Sequence, residues 1–324
     1  MPNTDIEILG KAVSKGKGIQ ISLDIAKLHT HTKIEVPIII ERAKEPGPTI
    51  LITGGIHGDE INGVEIVRQI VAKKYNKPQK GMVICIPVVN IFGFLSQTRQ
   101  FPDGRDLNRV FPGSKKGSLA SIFAYHLMND IVPLADYCLD FHTGGANRFN
   151  AAQIRINEGD AESLELAKVF GAPFIMKSKR REKSYRDSAI RLGKKVLLYE
   201  GGKSLNIDKK ITQTGVDGAL NIMHYLGIRN FTEELEADSG ATGTIPIIVE
   251  QSKWIRATYS GMFRSNVMLG KLYNRGDKIG SISDPFGYFE RTVKAPVKGY
   301  IFCINHAPIV NKGDAIIHMS IEAQ

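Results

Sequence analysis

The chain has 324 residues, 42% of them hydrophobic and 23% charged, and its 43 Lys and Arg exceed its 33 Asp and Glu to give a net charge of +10. That composition matches ordinary globular proteins, and no apolar run approaches the ~18 residues a membrane-crossing helix needs, so a membrane partner is not expected. The length exceeds what a single minimal core usually fills and points to one large domain followed by a smaller one.

Residues 1–45 are expected to be rich in β-structure. The first clear strand candidate spans 48–53, and a helix over 62–75 follows, with Val64, Ile66, Val67, Ile70 and Val71 at helical spacing. Further strands are predicted at 82–87, 136–141 and 195–200, and further helices at 119–132, 162–170, 184–192 and 208–226. Apolar β-branched runs alternating with amphipathic stretches predict an α/β fold with a mostly parallel or mixed sheet flanked by helices. Between 232 and 243 the composition becomes acidic and small, which places a boundary between an α/β domain over 1–235 and a second domain over 244–324.

In that second part the helical period disappears and an approximate repeat emerges. Ala257-Thr-Tyr-Ser-Gly261 and Arg275-Gly-Asp277 return as Ala295-Pro-Val-Lys-Gly299 and Lys312-Gly-Asp314. Two strand-rich halves of this kind resemble the biotinyl/lipoyl barrel-sandwich. The turn between them, Ser283-Asp-Pro-Phe-Gly287, carries no modifiable lysine. An all-β domain that caps the cleft or joins copies of the chain is therefore expected, and homo-oligomerisation is left open.

Residues 1–18 mix charges of both signs and lack an apolar run ending in small residues, so a cytoplasmic location is expected rather than secretion. Cys85, Cys138 and Cys303 are odd in number, far apart and set among apolar neighbours, which reads as buried free thiols. The positive charge favours anionic partners. Its densest run, residues 177–183, lacks interleaved aromatics and reads as a solvated loop, so the expected partner is a small anionic molecule and not a nucleic acid.

Chemistry concentrates where predicted strands end. Gly54-Gly-Ile-His57-Gly-Asp-Glu60 places an imidazole and a carboxylate three residues apart as a strand hands over to a helix. His142 ends another strand, the edge at which ligands gather in open α/β sheets. Zinc takes imidazole nitrogen and carboxylate oxygen, and a catalytic site commonly uses three such ligands. Downstream and in order come Arg99, Asp106-Leu-Asn108-Arg109, Asp140-Phe-His142-Thr-Gly-Gly and Tyr199-Glu200-Gly-Gly.

This ordered set resembles the succinylglutamate desuccinylase/aspartoacylase family, whose fold is that of the zinc carboxypeptidases. The resemblance implies one Zn2+ per chain held by His57, Glu60 and His142, with Asp106 orienting the first histidine. It further implies Asn108 and Arg109 as the grip on a substrate carboxylate, and Glu200 as the general base. Arg99 corresponds to the arginine that steadies the oxyanion, with Arg105 as its rival and a further substrate-binding cation. The activity implied is zinc-dependent hydrolysis of the amide in an N-acyl amino acid or a similar small carboxylate. A zinc carboxypeptidase or peptide amidase shares these parts, and a non-catalytic zinc-binding module is the remaining alternative.

His29-Thr-His31 has strand spacing but no third ligand nearby, and His126, His224, His306 and His318 read as structural. The Gly-Gly pairs at 54, 144 and 201 lack phosphate-loop context and are expected to serve tight backbone turns.

Overall fold

The computed structural model describes residues 5–27, 31, 33–237 and 245–322; His29 and positions 238–244 of the expected boundary lie outside the described residues. Among the described residues a mixed sheet of 13 strands organises the molecule. Its centre is formed by Lys80–Ile86, Glu45–Gly54, Tyr137–Gly144 and Lys195–Lys203, paired in parallel. These are the four strands expected from the apolar runs, and residues such as Ile50, Leu51 and Ile52 are fully buried because helices cover both faces. An antiparallel hairpin, Gly18–Lys27 with Lys33–Arg42, extends one side through Lys80–Ile86.

Alternation along each strand sorts side chains between two cores. Ile50, Ile52, Leu139, Phe141 and Tyr199 join the core beneath helices Ile61–Ala72, Ala161–Phe170 and Lys209–Tyr225. Leu51, Cys138 and Val196 join the opposite core with helices Leu119–His126 and Tyr185–Arg191. Each fully buried Ile or Leu contributes about 1.5–3 kcal/mol relative to exposure. The helices begin where short polar side chains accept orphan amides: Asp208 from Ile211 N at 3.0 Å, and Ser184 from Asp187 N at 3.1 Å. At Gly215 a Cβ would come within 2.3 Å of Ile66 Cδ1, so its absence lets the two long helices pack closely.

The stretch expected as one helix over 119–132 divides. It is α-helical to His126, widens over Leu127–Ile131 and tightens at Val132–Leu134, where Pro133 has no N–H to continue the ladder.

Beyond Lys195–Lys203 the sheet turns mostly antiparallel, the exceptions being Phe174–Lys177, which pairs in parallel with Arg148–Ile156, and Ile247–Val249, which pairs in parallel with Phe174–Lys177. Arg148–Ile156 pairs with Lys195–Lys203 on one side and with Gly299–Asn305 on the other, matching Asn150 to Cys303. Ala315–Ser320 and Ser252–Arg256 follow in order. A separate four-stranded antiparallel sheet holds Glu290–Lys294, Lys278–Ser283, Gly261–Ser265 and Ile309–Val310. The C-terminal region is thus antiparallel β-structure with its own core of Ile279, Ile282, Ile301, Ile316 and Ile317, joined to the central sheet by an unbroken ladder. Among the described residues no helix is long and apolar enough to cross a membrane.

Candidate metal centre and active site

Tyr137–Gly144 carries the site on one face of the strand. Cys138 lies in the core, and the next two residues on that face are Asp140 and His142, so apolar packing gives way to chemistry at the carboxyl end. Register places His142 beside Glu200 of the neighbouring parallel strand. His57 and Glu60 come from the loop between Glu45–Gly54 and helix Ile61–Ala72, a turn closed by Glu60 N donating to His57 O at 3.2 Å. Gly58 lets this loop seat itself, since a Cβ there would lie 1.8 Å from the carbonyl carbon of Gly93.

The Glu60 carboxylate is the hub. Its Oε1 lies 2.8 Å from His57 Nδ1, and its Oε2 lies 2.8 Å from His142 Nδ1 and accepts from Thr143 N at 3.1 Å. The far nitrogens face carboxylates as well: His57 Nε2 is 3.1 Å from Asp106 Oδ1, and His142 Nε2 is 2.8 Å from Asp140 Oδ2. Thr53 Oγ1 donates to the other Asp140 oxygen at 2.8 Å. Arg99 spans the assembly, giving Nη1 to Glu60 at 3.1 Å and Nε and Nη2 to Asp106 at 3.1 and 3.0 Å.

Burial opposes charge on all these groups, yet mutual pairing prevails. Glu60 is held well below the usual carboxylate range by the His57 and His142 imidazoles. Burial lowers His57, but Glu60 and Asp106 raise it overall; burial likewise lowers His142, but Asp140 and Glu60 raise it well above the ordinary imidazole value. Asp106 falls below its normal range against burial because His57, Arg99 and Arg109 surround it. Two imidazoles sandwiched between three carboxylates favour positive charge at their centre. Ligand atoms of His57, Glu60 and His142 lie within 4.8 Å of one another, and carboxylate support at the outer nitrogens leaves each Nδ1 directed inward. This donor set fits a divalent ion such as Zn2+.

Residues 46–226 match the family described as the succinylglutamate desuccinylase/aspartoacylase catalytic domain. The chain belongs to the succinylglutamate desuccinylase/aspartoacylase family. It is similar to the N-alpha-acetyl-L-2,4-diaminobutyric acid deacetylase of Halomonas elongata, with 30% identity over 300 residues, 87% of this chain and 84% of that protein. A solved succinylglutamate desuccinylase/aspartoacylase from Rhodobacter sphaeroides superposes with a TM-score of 0.82 at 25% identity, covering 94% of this chain and 96% of the other. The product-bound ectoine utilization protein EutE (DoeB) from Ruegeria pomeroyi shares the fold with a TM-score of 0.80 at 20% identity, covering 94% and 95%.

In this family member a cavity of about 730 Å3 gathers His57, Glu60, Arg99, Asp106, Asn108, Arg109, His142 and Glu200. Asp106 Oδ1 accepts from Asn108 N at 2.8 Å, starting the short turn Leu107–Arg109, and Asn108 Oδ1 accepts from Tyr185 N at 2.8 Å. Arg109 Nη1 lies 3.9 Å from Asp106. Arg105 is not part of the cavity lining; its side chain is 54% exposed and sits 3.4 Å from Asp103.

Several lining residues carried no sequence signal for the site. Asp140, which lies outside the cavity lining but meets His142 Nε2, was within reach of inference, since it lies two positions before His142 on the same strand face. Arg148, Asn150 and Arg155 come from an antiparallel strand whose place beside Glu200 no motif announces. Arg186 is buried, and burial together with nearby Arg155 lowers it to about 10. Lys179 and Arg181 lie in an exposed loop, as expected of the basic run, and that loop also lines the cavity.

His318, expected to be structural, also lines the cavity. It stacks on Trp254 at 4.2 Å between ring centroids, and burial with Arg155 and Arg148 lowers it to about 3, so it stands neutral at pH 7. Among the described residues seven basic side chains (Arg99, Arg109, Arg148, Arg155, Lys179, Arg181 and Arg186) meet three acids there (Glu60, Asp106 and Glu200).

Proposed function

We propose that this chain is a zinc-dependent deacylase that hydrolyses the amide bond of an N-acyl amino acid or a similar small carboxylate, with His57, Glu60 and His142 as the ligands of one Zn2+. The observation that carries this reading is the meeting of both Nδ1 atoms on the Glu60 carboxylate, in a cavity that also holds Glu200, the strand neighbour of His142. The relatives named as a deacetylase and a desuccinylase support amide hydrolysis. The excess of basic lining residues suits an anionic substrate, and a cavity of about 730 Å3 suits a small molecule better than a long peptide.

A bound zinc ion would supply Lewis acidity, lowering the pKa of water and polarising the carbonyl under attack. Glu200 accepts a proton from the attacking water and returns it to the departing amine. Arg99, fixed by Glu60 and Asp106, offers a guanidinium to the developing oxyanion. Asn108 and Arg109 grip the free carboxylate, the planar guanidinium meeting it in a two-pronged fork. Asp106 and Asp140 fix the tautomer and direction of the two histidines.

The same reading takes the architecture as carboxypeptidase-like, with a catalytic domain over 1–235, a barrel-sandwich-like domain over 244–324, and a place in the cytoplasm. Replacing Glu200 with Gln tests it: turnover of an N-acyl amino acid panel should fall by roughly 10²–10⁴-fold while the metal content stays that of the parent. A Glu200→Gln protein as active as the parent would refute the assigned base.

A further inference from the structure

Glu200 is not held symmetrically. Its Oε2 accepts from Asn150 Nδ2 at 2.7 Å and from Arg155 Nη2 at 3.0 Å, whereas its Oε1 accepts from no group among the described residues. Both donors stand on the strand Arg148–Ile156, which pairs antiparallel with the strand of Glu200 and matches Gly202 to Asn150 just past a register shift. Asn150 is buried, and its amide nitrogen donates to nothing else among the described residues. Glu200 is also the one carboxylate within ion-pair distance of Arg155 among those residues, and Arg155 Nε is buried without a partner.

We propose that Asn150 and Arg155 are positioning residues that clamp one oxygen of Glu200 and leave the other free for proton transfer. This rests on Glu200 acting as the general base. Turning the carboxylate about its Cγ–Cδ bond would break two hydrogen bonds at once, one of them charge-assisted on both sides, so the clamp selects a single orientation. A base used twice in one cycle gains from that restraint, because the same oxygen must face the attacking water and then the leaving nitrogen. The C-terminal region reinforces the clamp from behind. Cys303 of Gly299–Asn305 pairs with Asn150 on the side away from Glu200, so the donor strand is fixed along both edges.

The test compares Asn150→Ala, Arg155→Met and Arg155→Lys in the zinc-loaded full-length protein, using N-acetyl-L-2,4-diaminobutyrate and a panel of N-acetyl and N-succinyl amino acids as probes. For the first two variants kcat should fall roughly 10- to 100-fold, with KM moving less than about threefold and metal content unchanged. Arg155→Lys, which keeps the charge without the planar guanidinium, should recover part of the loss. In a Glu200→Gln background the same substitutions should cost nothing further.

Crystal structures give a readout independent of turnover. The Glu200 carboxylate should occupy one orientation in the parent and leave it in Asn150→Ala and Arg155→Met. If Asn150→Ala does not fold, the Arg155 variants carry the test alone, since that side chain is 34% exposed. Parent-like kcat with an unmoved Glu200 in the variants overturns the clamp. An inactive Glu200→Gln beside unaffected Asn150 and Arg155 variants overturns the clamp alone, whereas an active Glu200→Gln overturns the general-base reading itself.

Discussion

The parallel strands Tyr137–Gly144 and Lys195–Lys203 bring His142 and Glu200 into the cavity at their carboxyl ends, whereas the antiparallel strands Ser252–Arg256 and Ala315–Ser320 bring Trp254 and His318 to the same cavity from mid-strand. Reactive groups cluster at the parallel edge because every strand there ends on one side of the sheet and each can turn a side chain toward a shared point. The antiparallel region lends shape: a stacked Trp254–His318 pair, with Arg148 lying 5.5 Å over the indole ring. One region should thus govern turnover and metal affinity, and the other how well substrate fits.

Substitutions can break that division, beginning where the effect should be greatest. Arg99→Ala removes the cation that touches both Glu60 and Asp106, and kcat should fall by roughly 10²–10³-fold, or about 2.7–4 kcal/mol. Steady-state kinetics would show it, and a parent-like rate would remove Arg99 from the chemistry. Asp140→Asn weakens the support at His142 Nε2 and should lower zinc affinity about 10–100-fold, measured by competition with a chromogenic chelator. Affinity equal to the parent's would make Asp140 a bystander.

Trp254→Ala tests the other side of the division. Losing about 1 kcal/mol of contact corresponds to roughly a fivefold rise in KM, with kcat little changed; a collapse of kcat at constant KM would place this wall in the chemistry. Arg105→Ala should do least, because the side chain is half-exposed and paired with Asp103 outside the cavity. Losses there comparable to those of Arg99→Ala would exchange the two assignments.

Much of this was legible in the residues themselves, for a physical reason. Strands such as 48–53 and 195–200 are buried on both faces, so their apolar runs stand out, and the proposed metal-binding and catalytic residues lie where such runs stop. Asp106, Asn108 and Arg109 are adjacent in sequence because one short turn presents all three. The antiparallel strand Arg148–Ile156 was illegible. Its residues, Arg-Phe-Asn-Ala-Ala-Gln-Ile-Arg-Ile, mix polar and apolar side chains without clean alternation, and its neighbours lie far away along the chain.

For the same reason Asn150 and Arg155 carried no signal: their partner, Glu200, is 50 and 45 positions distant. His318 looked structural because one side of its ring does pack, against Trp254 and Phe302, and only the assembled sheet shows that the cavity borders it. The basic run at 177–183 leads into the exposed loop that its charge suggested, but charge density alone does not reveal that this loop also lines the cavity.

The most direct test is metal analysis of the purified protein beside a His142→Ala variant, with both shown to be folded by circular dichroism. The parent should carry about one zinc per chain and the variant almost none, because losing the His142 imidazole removes one of the three proposed ligands. Equal zinc in the two proteins, or a fully active parent after exhaustive chelation, would contradict a metal centre built on His57, Glu60 and His142.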